Sequence, residues 1–173
     1  MRVAALPKNE EERIDTLRRL LILDTAPEDR FEGVTAYAAV AFNVPICLVS
    51  MVDTNRQWFK SHFGLPDVCE TSREVSFCAH AILQDEVFEV SDTHSHPDFS
   101  DNPLVTDDPH LRFYAGYPLK MKNGHKVGTL CLLDRRPRRL SAPERVQLAE
   151  LGKMVAAELQ GLPYTPVPRY VTN

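Results

Sequence analysis

The segment Ile46–Val52, ICLVSMV, constrains this chain more than any other. Side chains alternate between the two faces of a β-strand, and here both alternating sets are apolar or small, so both faces need cover. That pattern predicts a central strand of a sheet. The following RQWFKSHF is separated from it only by Asp53, Thr54 and Asn55, which are good turn residues, so the two segments read as an antiparallel hairpin. With 173 residues, 43% of them apolar, the chain can bury most of its unfolded surface in one domain but has no room for a second full one.

The elements around this hairpin follow from periodicity and punctuation. Asn9 followed by three glutamates predicts the start of a first helix, with Ile14, Leu17 and Leu21 at helical spacing and a stop near Asp24. Thr25 to Glu28 reads as a capping box with Pro27 in the first turn of a second helix, whose Phe31, Val34, Ala38 and Ala41 form one stripe before Pro45 ends it. GLPDVCETSRE is a polar connection, Ser76 is placed to cap a short helix in FCAHAIL, and VFEV reads as an edge strand. SDTHSHPDFSDNPLVTDDP is too rich in proline and turn formers for a sheet interior and is expected to be a long ordered loop. HLRFYAGYPLKM and HKVGTLCLLD are two strands joined by Asn123-Gly124, a strong hairpin signal. Ser141 to Glu144 is a second capping box, opening a long helix with Leu148, Leu151, Val155 and Leu159 on one face. The fold class is therefore α+β: a central antiparallel sheet with helices over one face. Residues 1–9 are read as an N-terminal arm, 10–160 as the domain and 161–173 as a loose proline-rich tail.

Charge and composition narrow the function. A formal net charge of −4 provides no field for phosphates or anionic lipid, so neither a nucleic-acid partner nor a membrane surface is expected. The N-terminal MRVAALPK lacks the apolar run of an export signal, and the apolar stretch around VPICLVSMV is far shorter than a bilayer span, so a cytoplasmic location is expected. The four cysteines, Cys47, Cys69, Cys78 and Cys131, are then expected to be reduced.

Six segments in order, ILDTAPEDRF, VPICLVSMVDTNRQWFKS, ETSREVSFCAHAIL, VSDTHSHPDFSDNPLV, RFYAGYPL and VGTLCLLDRRPR, resemble the GAF domains found ahead of bacterial diguanylate cyclases and sensor kinases. The resemblance covers roughly residues 10 to 160. It implies that helices from both chain ends share one face of the sheet, and that a cavity on the other face is roofed by the short helix and the long loop. It does not imply a ligand. The cyclic-nucleotide branch of the family resembles an Asn-Lys pair followed by Phe and Asp-Glu; Asp85 and Glu86 are present here without a preceding Asn-Lys. Bilin-binding relatives carry a Cys-His dipeptide, which this sequence lacks, since Ala79 separates Cys78 from His80. The Trp-x-Gly-Phe-Tyr pattern of the free methionine sulfoxide reductases is also missing.

Within that frame the candidate cavity lining is Cys78, Asp92, Phe99, His110, Arg112, Tyr114, Thr129 and Cys131. Arg112 and Tyr114 share one strand face, with His110 two residues upstream, and Thr129 and Cys131 share a face of the partner strand. Such a pocket suits a small polar or anionic ligand, unless Arg112 is tied to a loop carboxylate such as Asp92, Asp98 or Asp101. Trp58 and Phe59 point to opposite faces, one toward the core. Cys78 and His80 lie about 200 degrees apart around a helix at ~100 degrees per residue, so they form no nucleophile–base dyad. The redox alternative uses Cys69, exposed in its polar loop, and Cys78, with Cys131 as a third participant. Asp92, His94, His96 and Asp98 alternate and carry zinc- or iron-binding chemistry, but Pro97 interrupts them and local turn bonding is the competing reading. The run Arg135 to Arg139 reads as a solvated connection, with Asp134 as a turn residue.

The sequence thus points to a sensory or regulatory module that binds a small molecule in the sheet cavity or mediates protein contacts. No catalytic residue and no cofactor are assigned, and the ligand is unidentified. Output is expected from a signalling partner protein, and a homodimer is expected through residues 10 to 23 and 143 to 160, where Leu20, Val146 and Met154 are left outside the core-facing stripes. The alternatives are a thiol-based redox enzyme or sensor and a ligand-free dimerisation scaffold.

Overall fold

Every residue of Ile46–Val52 is buried, as its pattern requires. In the computed structural model, which describes residues 1–164, this strand is β1. The remaining strands are β2 (Arg56–Phe63), β3 (Glu70–Ser72), β4 (Phe88–Val90), β5 (Phe113–Lys120) and β6 (Lys126–Asp134). They form one six-stranded sheet in the order β3-β2-β1-β6-β5-β4, antiparallel throughout. The helices are α1 (Glu10–Arg19), α2 (Asp29–Ala41), α3 (Cys78–Ala81), α4 (Pro103–Thr106) and α5 (Ala142–Leu159).

The alternation of β1 divides the interior in two. Cys47, Val49 and Met51 enter a core completed by Leu17 of α1, Phe31 and Ala38 of α2, and Leu148 and Val155 of α5. Ile46, Leu48 and Val52 enter a second core, where α3 and the long loop cover the opposite face with Phe77, Ile82, Phe99 and Val105. Trp58 joins the first core and its neighbour Phe59 the second. The β1–β2 register shifts beside Ser50, and Lys60 and Ser61 then both serve the helix side. Ser61 meets Thr35 of α2 at 2.7 Å, and the buried Lys60 ammonium reaches Glu28 and the Ala26 carbonyl.

Local chemistry explains where elements begin. Ser141 and Glu144 form the reciprocal capping box, and Gly124, at φ 91, turns the β5–β6 hairpin. The Thr25–Glu28 capping box does not form. Glu28 is the N-cap without a side-chain cap bond, because the Thr25 hydroxyl donates to the Ile22 carbonyl and accepts from Lys60. Leu21 is likewise not part of the α1 stripe: the helix ends at Arg19, Leu21 takes φ 53, and its side chain is exposed while Leu20 packs against the core. Ala41 is exposed, and Thr35 and Ala39 take up the buried face of α2 instead. The polar GLPDVCETSRE segment contains the short edge strand β3, which pairs with β2. Asp134 ends β6 buried, accepting from the Arg136 amide and Arg138, and Arg138 donates to the Phe42 and Asn43 carbonyls at the end of α2. Among the described residues no helix is long and apolar enough to cross a membrane. Most of the proline-rich tail, residues 165–173, lies outside the described residues.

Candidate functional site

Between the sheet and its roof lies a cavity of ≈ 160 Å³. Leu48, Phe59, Tyr114, Cys131 and Leu133 line it from the sheet, and Phe77 and Cys78 from the roof. The half-buried Leu65, Val68 and Leu104 and the exposed Asp108 mark where it approaches solvent. The wall is mostly apolar, with two polar features.

The first is centred on Cys78. The Ser76 hydroxyl accepts the Ala79 amide hydrogen at 3.1 Å, which starts α3 and sets Cys78 on its sheet-facing side. The buried Sγ then receives hydrogen bonds from Thr129 Oγ1 at 3.1 Å and Tyr114 Oη at 3.3 Å, and lies 3.9 Å from Cys131 Sγ. Burial pushes the Cys78 thiol up, but the interaction with the Cys131 thiol and then the Thr129 and Tyr114 hydroxyls outweigh it and bring the group down to about 6. Burial and the neighbouring sulfur push Cys131 well up, so the pair keeps its proton on Cys131. Gly116 makes the arrangement possible: a Cβ there would collide with the Tyr114 hydroxyl, so only glycine lets the ring lie along the strand.

The second feature is Gln57, buried in the wall. Its Oε1 accepts from the hydroxyls of Ser76 at 2.7 Å and Ser50 at 3.4 Å, and its Nε2 donates to Thr71 at 2.6 Å. Sequence reasoning passed over Gln57, Ser50 and Ser76 as site residues. The signal was present: Ser50 is the polar member of an otherwise apolar strand, and Gln57 shares the face of Phe59, where a buried polar group needs partners.

Of the eight expected lining residues, Cys78, Tyr114 and Cys131 line the cavity and Thr129 supports it through its bond to Cys78. The other four lie elsewhere. Phe99 is buried behind the wall, stacked on Phe77 at 4.3 Å between ring centroids. His110 is exposed, because φ 58 turns the chain there and the alternation of β5 does not extend upstream of Phe113. Arg112 and Asp92 form a two-point ion pair at 3.1 and 3.2 Å, which holds the long loop to the start of β5. The Arg112 hydrogen bonds hold the Asp92 carboxyl below the usual carboxylate range.

The loop positions read as metal-binding candidates are engaged in local turns: Asp92 accepts the His94 amide hydrogen, and His96 Nδ1 accepts that of Asp98. Among the described residues no three His, Cys, Asp or Glu side chains are grouped to hold a metal ion. His80 leaves α3 away from Cys78, meeting the Arg2 carbonyl at 3.1 Å and packing edge-on with the Phe99 ring at 4.8 Å between centroids, and burial pushes its pKa down. Cys69 is exposed on the segment that forms the cavity rim.

The roof is wired to the first helix. Glu10 of α1 binds both Arg13 and Arg73; Arg13, itself buried, donates to the Val52 carbonyl, and Arg73 to the Asp53 carbonyl. Burial raises the Glu10 carboxyl, but the two guanidinium groups hold it at about 2. Arg73 lies three residues before Ser76, whose hydroxyl accepts the Ala79 amide hydrogen of α3.

A sheet sandwiched between terminal helices and a roof that encloses a cavity is the architecture that the six ordered motifs resemble, and the sequence pattern defining the GAF domain matches residues 26–159. The chain belongs to the GAF family. This GAF domain is 41% identical over 157 residues to a cyclic di-GMP phosphodiesterase of Pseudomonas aeruginosa, an alignment that covers 90% of the chain and 27% of that protein. It therefore spans about a quarter of the relative's length. Among solved structures, the GAF domain of an Acinetobacter phosphoenolpyruvate-protein phosphotransferase superimposes with a TM-score of 0.62 at 18% identity, covering 87% of this chain and 94% of that one. The free methionine-R-sulfoxide reductase of Neisseria meningitidis does so with 0.62 at 15% identity, covering 92% and 96%. At these identities the structures establish the shared fold, and the family assigns the domain a sensory or regulatory role.

Proposed function

We propose that this GAF domain is a sensor whose ligand is a small, largely apolar molecule held between sheet and roof. The observation that carries the reading is the ≈ 160 Å³ cavity itself, apolar over most of its wall and polar at Gln57 and at the Cys78 cluster. An apolar cavity of about 150 Å³ accommodates a benzene-sized molecule, whereas drug-sized ligands need about 300 Å³ or more. A molecule of single-ring size fits, and a cyclic dinucleotide or a tetrapyrrole does not. The Gln57 amide carries two hydrogens, of which one goes to Thr71, leaving a donor to orient a hydroxyl or carbonyl on the guest.

Similarity to a cyclic di-GMP phosphodiesterase supports a place beside cyclic di-GMP turnover, with the domain regulating such an enzyme rather than binding its substrate. Transmission runs from the cavity roof through Arg73 and Glu10 to α1. Two copies pair through residues 10–23 and 143–160, where Leu21 and Val146 are exposed. The expected location is cytoplasmic. Differential scanning fluorimetry against single-ring phenols, alcohols and ketones tests the binding reading: at least one class raises Tm saturably in the unmutated protein and leaves Leu133→Phe, which fills the cavity, unmoved. Equal shifts in both proteins, or none in either, contradict it.

A further inference from the structure

Cys78 and Cys131 stand out once the cavity is set aside as a binding site. Both sulfurs are buried, both face the same cavity, and they are 3.9 Å apart on different elements, the roof helix α3 and the central strand β6. Two hydroxyls, Tyr114 and Thr129, converge on one of them, donating to the Cys78 sulfur at 3.3 and 3.1 Å. A thiol sulfur is a weak acceptor, so two buried donors aimed at it are better matched to a thiolate. This asymmetry distinguishes the two thiols: one is stabilised as the anion and the other retains a proton beside it.

We propose that Cys78 and Cys131 form a peroxide-responsive dithiol, with Cys78 as the attacking sulfur and Cys131 as the resolving one, and that small neutral hydroperoxides entering the cavity are the oxidant. The Cys78 thiolate attacks the terminal oxygen of the hydroperoxide and the O–O bond breaks. The sulfur keeps the OH as a sulfenic acid, and the departing alkoxide takes up the proton the thiol had released and leaves as the alcohol. Cys131 then loses its proton as its sulfur displaces hydroxide from Cys78. Proton and hydroxide leave as water, and the S–S bond closes. Two thiols give up two electrons, and one hydroperoxide becomes an alcohol and a water.

The conformational consequence is built into the same geometry. A disulfide requires an S–S distance of about 2.05 Å, so the 3.9 Å gap must close by nearly half. Cys131 sits in the middle of a fully paired strand and cannot advance far, so closure draws α3 toward the sheet. Tyr114 and Thr129 then lose their acceptor, and Ser76 and Arg73, which lead into α3, carry the shift to Glu10.

The test uses the full chain, reduced, and treated separately with tert-butyl hydroperoxide and hydrogen peroxide, followed by peptide mapping under non-reducing conditions. We expect a Cys78–Cys131 disulfide in the unmutated protein, Cys78 sulfenic acid trapped by dimedone in Cys131→Ser, and no sulfenic acid or disulfide at either position in Cys78→Ser. Closure with both reagents identifies general hydroperoxide access; closure with the alkyl reagent alone identifies selection by the apolar wall. A disulfide joining Cys69 to Cys78, oxidation confined to Cys69, or a pair that stays reduced in the folded unmutated protein overturns the proposal. Because these outcomes are read on the unmutated chain, they do not depend on the variants folding. They are also independent of whether any phenol or ketone binds.

Discussion

The Tyr114 hydroxyl donates to the Cys78 sulfur at 3.3 Å, linking strand β5 of the sheet to the first residue of the roof helix. Removing that hydroxyl in Tyr114→Phe takes away one donor and leaves the ring in place. The destabilisation should be about 1 kcal/mol, the ordinary net worth of a buried hydrogen bond. The more specific effect is on Cys78: its labelling by methyl methanethiosulfonate, followed by peptide mass spectrometry across pH, should show a midpoint near 6 in the unmutated protein and a higher one in the variant. Identical midpoints would remove Tyr114 from the thiol's electrostatics.

Gly116 bears on the same contact from below. A methyl group there collides with Tyr114 itself, so Gly116→Ala must push the ring off its position. Overpacking of this kind costs about 1–3 kcal/mol. Chemical denaturation should report a loss in that range, and the Cys78 labelling midpoint should rise as it does in Tyr114→Phe, because the hydroxyl leaves the sulfur.

The elements of this fold were legible where local chemistry and tertiary demand agree. Ile46–Val52, the Asn123-Gly124 hairpin and the Ser141–Glu144 box all lie where the sequence puts them. Thr25–Glu28 failed because a partner remote in sequence, Lys60, supplies the bonds that a local cap would have made. Leu21 failed because the helix ended one turn early, and β3 was missed because three residues at a sheet edge carry no periodicity of their own. In the site, Tyr114 and Cys131 could be placed by alternation and Cys78 by its place in the short roof helix, whereas His110 and Arg112 could not, since alternation holds only inside a strand. Gln57 was overlooked because a glutamine beside a tryptophan carries no motif; only its buried side of the strand makes it a wall residue.

The Glu10 cluster predicts an acid-sensitive connection. Its carboxyl is held at about 2 in the folded chain against an ordinary 4.5. A depressed carboxylate contributes stability that is fully present above 4.5 and is lost as pH falls toward 2. Stability measured by urea unfolding should therefore decline through that window, and Glu10→Gln should flatten the decline while lowering stability near neutral pH. A Glu10→Gln protein with the unmutated slope would show that other carboxylates govern acid unfolding.

Reagent size should separate the four thiols. A bulky aromatic disulfide reagent should label the exposed Cys69 far faster than the buried Cys47, Cys78 and Cys131, since a ≈ 160 Å³ cavity does not admit it. Mapping the labelled peptides at early times decides this, and equal labelling of Cys47 would mean that the helix-side core opens on the same timescale.

Assembly is tested by light scattering coupled to size exclusion, which should report about twice the 19.6 kDa chain mass at micromolar concentration. Val146 is exposed on α5, so Val146→Glu should shift the species to monomer while altering monomer stability by no more than about 0.5 kcal/mol. Unmutated protein that stays monomeric at high concentration removes the terminal helices as an interface.

The sensing role rests on the cavity, and methyl NMR looks into it directly. With leucine methyl groups labelled, phenol should produce saturable one-site shifts at Leu48, Leu111 and Leu133, which line the cavity, and leave Leu17 and Leu148 on the helix side unmoved. Shifts absent up to the solubility limit of phenol, or spread without saturation over both sides of the sheet, would contradict a binding site between sheet and roof.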